Sequence, residues 1–533
     1  MSTNESLAFT VPVLIVGAGP VGSVLALELA HHGVPSMVID RAVGPSKHPK
    51  MDYINGRSME LLHRLGVADE VRAGGIGPEH NANFVWTRGF DQPTVATWEH
   101  ASVDEWVERY AQVNDGSAPT QPYQRVQGSL LEGILRERAT GHPLVDVRDG
   151  WTFTELYQDD TGVVATVVDS TTNTWHTIRA RYLVACDGGS STVRQFLGIG
   201  ADNNGPRTQF VSVYFKSSDP VLRSHGRGFV TVEASGVTLV SRDERDTWTA
   251  SLRLFEGETL TEDPVELVQR RLGVRIAIDE VLSIAQWEGA LAVAATYRRG
   301  SVFLAGDSAH QFYPTGGHGA NTGLGDAVDL GWKLGAVVNG WAGPKLLDSY
   351  EAERRPVALF NREMCANLLE VWRRFAQLAR DGASSEHIAG FLAEETHQGD
   401  NGGIHFGYRY VDSPVICAED GPAPIWRWRE LVPTTWPGGR APSLRLADGS
   451  NVFDHLGPEL TLVDTSGDGE PLVRRAAERG IPVRYLRIDD DTVAKVWERA
   501  LVLVRPDQHV CWRADEAPAD WNAVLDRVVG GAR

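Results

Sequence analysis

The residues best able to do chemistry cluster between Ser301 and Leu334, in SVFLAGDSAHQFYPTGGHGANTGLGDAVDLGWKL. Gly306 and Asp307 end an apolar run, a turn follows through Pro314, Gly316, Gly317 and Gly319, and a helix is predicted to open near Asn321. Glycines let backbone approach a flat ligand closely, and the free N–H groups of a helix start carry partial positive charge. Such a device suits a ligand that becomes negative during its work. His318, inside the turn, has an unperturbed pKa near neutrality and is a candidate base, and a steric role beside the ligand fits it equally well. His310 reads as a structural hydrogen bonder in the same turn.

A second constellation lies near the N terminus. Gly17, Gly19 and Gly22 form G-x-G-x-x-G between an apolar run, Val13–Val16, and a helix predicted from Pro20 to Ala30. Asp40, followed by Arg41, closes the next strand, Ser36–Ile39. This is the order of a dinucleotide fold, in which the helix start takes a pyrophosphate and the acidic residue takes a ribose hydroxyl. By itself it admits NAD or FAD. The choice between them rests on what the Ser301–Leu334 stretch resembles.

Several elements must hold these groups in place. The helix after the turn should present Leu324, Ala327, Val328, Gly331, Leu334 and Val338 on one face, with Asp326, Asp329 and Lys333 opposite. Alternating patterns at Val145–Val147, Thr152–Tyr157, Val163–Val168 and Thr177–Ala180 predict an antiparallel meander. The strand Tyr182–Ala185 then delivers Cys186, Asp187 and Gly188, with Arg194 further on. Residues 205–290 give β-like segments and a short helix at Pro264–Leu272, which suggests a separate sheet for substrate. Residues 74–120 carry no sustained period and read as a lid or the first piece of that sheet domain. The last unit, roughly 440–533, reads strand, helix, strand, helix.

At 533 residues, two or three domains are expected. Hydrophobic content of 42% with 23% charged residues is that of a soluble globular protein. A formal charge of −19 argues against nucleic acid or an anionic membrane as partner. The apolar run Val11–Ala30 is broken by Gly17, Gly19, Pro20 and Gly22 and is not a membrane span. Four cysteines without CxxC spacing or a metal-like cluster fit a reducing cytoplasm and no metal site.

The glycine turn, the dinucleotide fingerprint and ARYLVACDGGSSTVR, in this order of function, resemble the three flavin motifs of the FAD-dependent aromatic hydroxylases of the phenol hydroxylase type. The resemblance implies an α/β fold with a Rossmann-like FAD-binding domain (1–75, 119–204 and 290–395), in which a parallel sheet carries a β-meander. It further implies an antiparallel-sheet substrate domain (76–118 and 205–289), a linker (396–439) and a thioredoxin-like C-terminal domain (440–533). In that family the residue matching Asp307 bonds the ribityl chain, Pro314–Gly319 with Ala320 and Asn321 passes the isoalloxazine ring, and Asp187 lies near the pyrophosphate. Lys50 stands where the family has an arginine, and Gln127 matches a cofactor-contacting position whose alternative role is a helix cap. Asp52 matches a carboxylate facing the substrate, and capping the turn before the next helix is its alternative. Tyr350, Glu351, Arg354, Arg355 and Pro356 match YExERRP and should tie helices together, and Trp287 should wall the substrate site unless it is ordinary core. Ala292 replaces an arginine common in relatives. Without CxxC the last domain does no thiol chemistry, which leaves packing or homodimer formation.

The implied reaction is hydroxylation of a small phenolic substrate with NAD(P)H and O2 through a flavin C4a-hydroperoxide. Asp52, directly or through Tyr53, is the leading candidate for the base that ionises the phenol, and His318 is the second. The alternatives are Baeyer–Villiger or epoxidising attack on a polyketide-like substrate, and a flavin dehydrogenase that does not use O2. The sequence does not choose NADH over NADPH.

Overall fold

The N-terminal apolar run becomes β1 (Ala8–Val16), the central strand of a parallel sheet in this computed structural model, which describes residues 8–205, 207–254, 258, 260–399 and 401–531. β2 (Ser36–Asp40), β3 (Val145–Asp149), β4 (Thr174–Ala185) and β5 (Val302–Leu304) join it in the order β5-β4-β1-β2-β3, all parallel. Val13, Leu14 and Ile15 are fully buried because both faces of the sheet are covered. Three of the four segments expected in the antiparallel meander form it: Trp151–Asp159 and Gly162–Asp169 pair antiparallel and continue onto the first half of β4, whereas Val145–Val147 lies in β3 and pairs parallel with β2.

Four helices set the rest of this domain: α1 (Pro20–His31), α2 (Gly128–Thr140), α3 (His318–Val338) and α4 (Ser349–Arg380). α1 and α3 pack with almost no separation. A Cβ at Gly331 would lie 2.4 Å from Glu28 Cγ, and one at Gly323 would lie 2.7 Å from Val21 Cγ2. The glycines of α3 are therefore part of a helix seam as well as of the turn before it.

Two expectations for α3 change. It opens at His318 rather than near Asn321, because Gly316 and Gly317 take φ of +79° and +66° and let the chain enter the helix earlier. It also has no solvent face: Asp326, Asp329 and Lys333 are all buried. α3 runs between α1, α4 and the C-terminal unit, so its polar side meets fixed charges instead of water.

A second sheet has seven strands in the order 280–289, 208–216, 247–253, 237–241, 230–233, 84–87, 94–98. It is antiparallel throughout except where Val230–Glu233 runs parallel to Phe84–Thr87. The segment without a sequence period thus supplies two edge strands and a helix, Val103–Ala111, whose start is fixed by a reciprocal Ser102–Glu105 capping box. These elements are too short to show a period. One face of the sheet, with Val211, Val213, Phe215, Ala250 and Leu252, packs against the helix Pro264–Leu272. The other, with Phe210, Ser212, Tyr214 and Trp287, turns toward the parallel-sheet domain.

The C-terminal unit has the expected thioredoxin-like sheet. Val483–Arg487 and Leu460–Asp464 run parallel, and Leu501–Val504 and Val510–Ala514 extend the sheet antiparallel. The stretch leading into it is packed rather than free, with Tyr410, Thr435 and Arg440 buried and Gly438 bonded to Val510. All four cysteines are free thiols. Among the described residues no helix is long and apolar enough to cross a membrane, and no group of three or more His, Cys, Asp or Glu could hold a metal ion.

Candidate flavin and substrate site

The C-terminal ends of β1, β2, β4 and β5 place the three glycine-rich motifs side by side. Gly17, at φ +107°, tucks under β4: a Cβ there would lie 2.3 Å from Cys186 O, and one at Gly22 would lie 1.9 Å from Gly17 O. Gly19, Gly188 and Gly319 are different, since a Cβ on any of them would meet nothing within 4 Å. Their open sides form a cradle between the N-termini of α1 and α3. Asp40 accepts from the Ala18 and Ala42 N–H groups through its two oxygens, which fixes its carboxylate at the end of β2 with lone pairs to spare. Arg41 follows on the surface.

Asp187 accepts from Val193 N with one oxygen, while its buried Oδ1 has no partner. Burial raises its pKa. A buried orphan acceptor beside an open glycine cradle calls for a donor from a ligand. Asp307 exposes its side chain at the end of β5, and surrounding protein raises its pKa despite the charges of His310 and Lys50. Lys50 is itself exposed. The open sides of Gly19, Gly188 and Gly319, with the carboxylates of Asp40, Asp187 and Asp307 free to accept from ligand hydroxyls, fit FAD.

The turn beside the ring position is built by Asn321. Its Nδ2 donates to Gly317 O at 2.6 Å and Tyr53 O at 3.1 Å, and its Oδ1 accepts from Asn55 N at 2.9 Å. One side chain therefore locks the glycine turn to the Asp52 segment. Pro314 O accepts from Gly317 N, and the Tyr53 ring lies 3.2 Å from the place a Gly317 Cβ would take. Tyr53 stacks on Tyr123 with centroids 5.2 Å apart. Beneath the turn, Asp326 accepts from Gly306 N at 3.2 Å, His310 Nε2 at 2.8 Å and Arg354 Nε at 2.8 Å. His310 has the structural place expected of it.

Asp52 does not cap the helix after it. Asn55 does, accepting from Ser58 N at 2.8 Å. Asp52 instead pairs with Arg242, a residue from the substrate sheet that sequence reasoning missed. Burial raises the Asp52 pKa, and the Arg242 charge offsets only part of that. Gln127 occupies the N-cap position of α2 without capping it. Its Oε1 accepts from Tyr214 OH at 3.1 Å and its Nε2 donates to Arg242 O at 3.4 Å, so it bridges the two domains next to Asp52. Trp287 stacks on Phe210 at 4.3 Å and donates to Ser212 Oγ, on the sheet face turned toward the site. Ala292 is buried in a small sheet with Asn203 and Gln311, and Arg242 is the cation that pairs with Asp52.

His318 is buried, and burial pushes its pKa down to about 4. Its imidazole is neutral through the physiological range and a weak proton acceptor, which favours the steric role. His318→Gln is expected to leave the shape of the pH–rate profile between pH 6 and 8 unaltered. A basic limb or acid limb that disappears in this variant would assign it the proton transfer. Gly319 allows a separate check. Gly319→Val should keep the melting temperature of the flavin-free protein within about 2 °C, because its side is open, while FAD affinity falls at least about tenfold.

Comparison with known proteins shows the family. The model for the FAD binding domain matches residues 10–361, and that for the aromatic-ring hydroxylase C-terminal region matches residues 434–532. The FAD-dependent monooxygenase apdD of Emericella nidulans is 35% identical, over 98% of this chain and 90% of its own. A 4-methyl-5-nitrocatechol 5-monooxygenase from Burkholderia is 33% identical, over 97% and 96%. Among solved structures, the rebeccamycin biosynthetic enzyme RebC with reduced flavin superposes with a TM-score of 0.87 at 32% identity, covering 99% of this chain and 100% of that one. Aklavinone-11 hydroxylase with FAD and aklavinone gives 0.81 at 30% identity, covering 99% and 100%.

Proposed function

We infer the reaction from one premise: this chain belongs to the FAD-dependent aromatic-ring hydroxylases. It is an FAD-dependent monooxygenase that hydroxylates an aromatic substrate. The finer reading is a phenolic ring, NAD(P)H as reductant and O2 as oxygen source. When bound, the flavin supplies the redox chemistry, taking a hydride from the nicotinamide and passing one atom of O2 to the ring.

The chain's own residues have three tasks. The N-terminus of α3, with the N–H groups of Gly319, Ala320 and Asn321, stabilises negative charge on a reduced ring, by up to about 2 kcal/mol in a partly buried geometry. Against about 1.36 kcal/mol per pKa unit, that lowers the proton affinity of the ring by roughly one unit. The walls, among them the buried Tyr123 and His318 and the half-buried Tyr53, exclude water from the reacting face. Asp52, directly or through the Tyr53 hydroxyl, takes the phenolic proton and raises the electron density of the ring, and Arg242 holds the carboxylate in place.

The observation that carries this reading is the Asp52–Arg242 pair, joined through Tyr53 and Asn321 to a glycine turn at a helix start. It is tested by screening phenols for accelerated NAD(P)H oxidation by the yellow holoprotein and weighing the products. A gain of one oxygen in a product that keeps its ring carbon skeleton is expected. Insertion of oxygen into an ester, or turnover without O2, would reject hydroxylation in favour of one of its rivals.

A further inference from the structure

A groove of about 480 Å³ reaches Arg242, the partner of Asp52, between the Gly74–Gly77 loop, the start of α2 and the turn after Ser241. Apart from Gln127 and Arg242 at its inner end, the residues that line it have no part in the hydroxylation described above. Its inner end is formed by Gln127 and Arg242, and its mouth carries Arg227 and Arg245, both exposed.

The charges of the groove are unequal in their commitments. Glu244 is held by Arg125 at 2.6 Å and Arg223 at 3.3 Å. Asp243 accepts from Thr247 Oγ1 and from the Arg245 and Thr247 N–H groups, and the exposed Glu79 has His80 at 3.2 Å, a pair that is ionic only when the imidazole is protonated. Arg242 is engaged by Asp52. Among the described residues, the guanidinium groups of Arg227 and Arg245 form no ion pair. In a chain of formal charge −19, Arg227 and Arg245 are two cations without an ion-pair partner at the mouth of one groove, free to meet an anionic ligand.

The occupant these features select is a polar anion with a small flat part. Only Ile76 and Leu130 contribute aliphatic side chains to the lining, and Leu130 is 48% exposed, so the groove suits an extended aromatic substrate poorly. Its volume falls in the range of small-molecule sites. Guanidinium forks match phosphate oxygens bidentately, and at the inner end Arg242 pairs with Asp52, on the segment that Asn321 ties to the ring position.

We propose that this groove docks the phosphate-bearing part of the reduced nicotinamide dinucleotide, with Arg227 and Arg245 as its recognising cations. The proposal rests on the hydroxylase reading given above and names the co-substrate's site within it. Arg227 and Arg245 touch neither the flavin cradle nor Asp52, so they act on dinucleotide affinity and leave the aromatic substrate alone.

The test uses oxidised holoprotein, titrated calorimetrically with NADP+ and, separately, NAD+. Arg227→Ala and Arg245→Ala should each weaken binding by about tenfold and the double variant by more, because each removes a charge-assisted contact. FAD affinity, melting temperature and the KM for the aromatic substrate should stay at parental values. Loss confined to NADP+ places the 2′-phosphate at the arginines, and equal loss for both dinucleotides places the pyrophosphate there. Arg227→Lys with Arg245→Lys should restore most of the affinity, since the charge is kept. Unchanged dinucleotide binding in the double alanine variant overturns the proposal, as does a rise in KM for the aromatic substrate alone. A parent that binds dinucleotide but hydroxylates nothing would reject the hydroxylase reading while leaving the groove's result readable.

Discussion

Asp52→Asn is expected to bind FAD like the parent and to lose roughly a hundred- to ten-thousandfold in the rate of oxygen transfer to a phenol, the range that a positioned general base supplies. The sign of its pH dependence follows from the site. Only the ionised carboxylate accepts the phenolic proton, and burial raises the Asp52 pKa above the usual carboxylate range. Activity of the parent should therefore rise with pH through that elevated value and then level off. The amide variant should lack this acid limb. Arg242→Met removes the charge that partly offsets burial, so the limb should move to higher pH rather than vanish. A nitrophenol, which ionises near neutrality without help, should lose far less rate in Asp52→Asn than an unsubstituted phenol. Equal hydroxylation by parent and variant at every pH, with both phenols, would remove Asp52 from the mechanism.

The flavin motifs were legible because each is local. A glycine that must sit under a neighbouring strand, as Gly17 does beneath Cys186, or a pair that must take positive φ, as Gly316 and Gly317 do, leaves its mark within a few residues of sequence. The strand-and-turn order of β1, β2, β4 and β5 was readable for the same reason. Arg242 was not, because SRDERDT looks like any solvated turn, and its partner Asp52 lies 190 positions earlier in the chain. Asn55 was passed over although it begins N-x-x-S at a helix start, a pattern that would have removed Asp52 from the capping role. The polar side of α3 failed for a deeper reason. Periodicity assigns charges to water, and a helix enclosed by three neighbours meets that pattern with ion pairs instead.

Those ion pairs carry the second large expected effect. Arg505, from the C-terminal unit, donates to Glu353 at 2.7 and 2.8 Å, to Asp329 at 2.9 Å and to Asp507 at 2.6 Å, while Lys333 donates to Asp329 at 2.7 Å and Glu353 at 2.5 Å. All five charged groups are buried. Among the three carboxyls Asp329 stands apart, its pKa raised well above the usual range by burial. Burial alone would also raise Glu353 and Asp507, but Arg505 leads the charges that hold both below that range. Arg505→Met leaves three buried carboxyls around one ammonium and should cost about 3–5 kcal/mol in unfolding free energy at pH 7.

The linkage has a definite sign. Depressed folded pKa values stabilise the parent above the unfolded carboxylate range near 4, and that contribution is lost as pH falls below it. In the variant the same two carboxyls rise, so they cost stability at neutral pH and are relieved by protonation as pH drops. The gap in denaturant midpoint between parent and variant should be widest at pH 7 to 8 and should shrink steadily toward pH 4. The effect should also reach the flavin, since Arg505 lies 5.1 Å over the Tyr410 ring, Tyr410 OH accepts from Arg354, and Arg354 holds the Asp326 that fixes Gly306. FAD affinity of Arg505→Met should fall with the stability, and Arg505→Lys should recover part of both. A gap that stays constant from pH 8 to 4 would show that the cluster's charges contribute nothing beyond packing, and would cut this link between the C-terminal unit and the flavin turn.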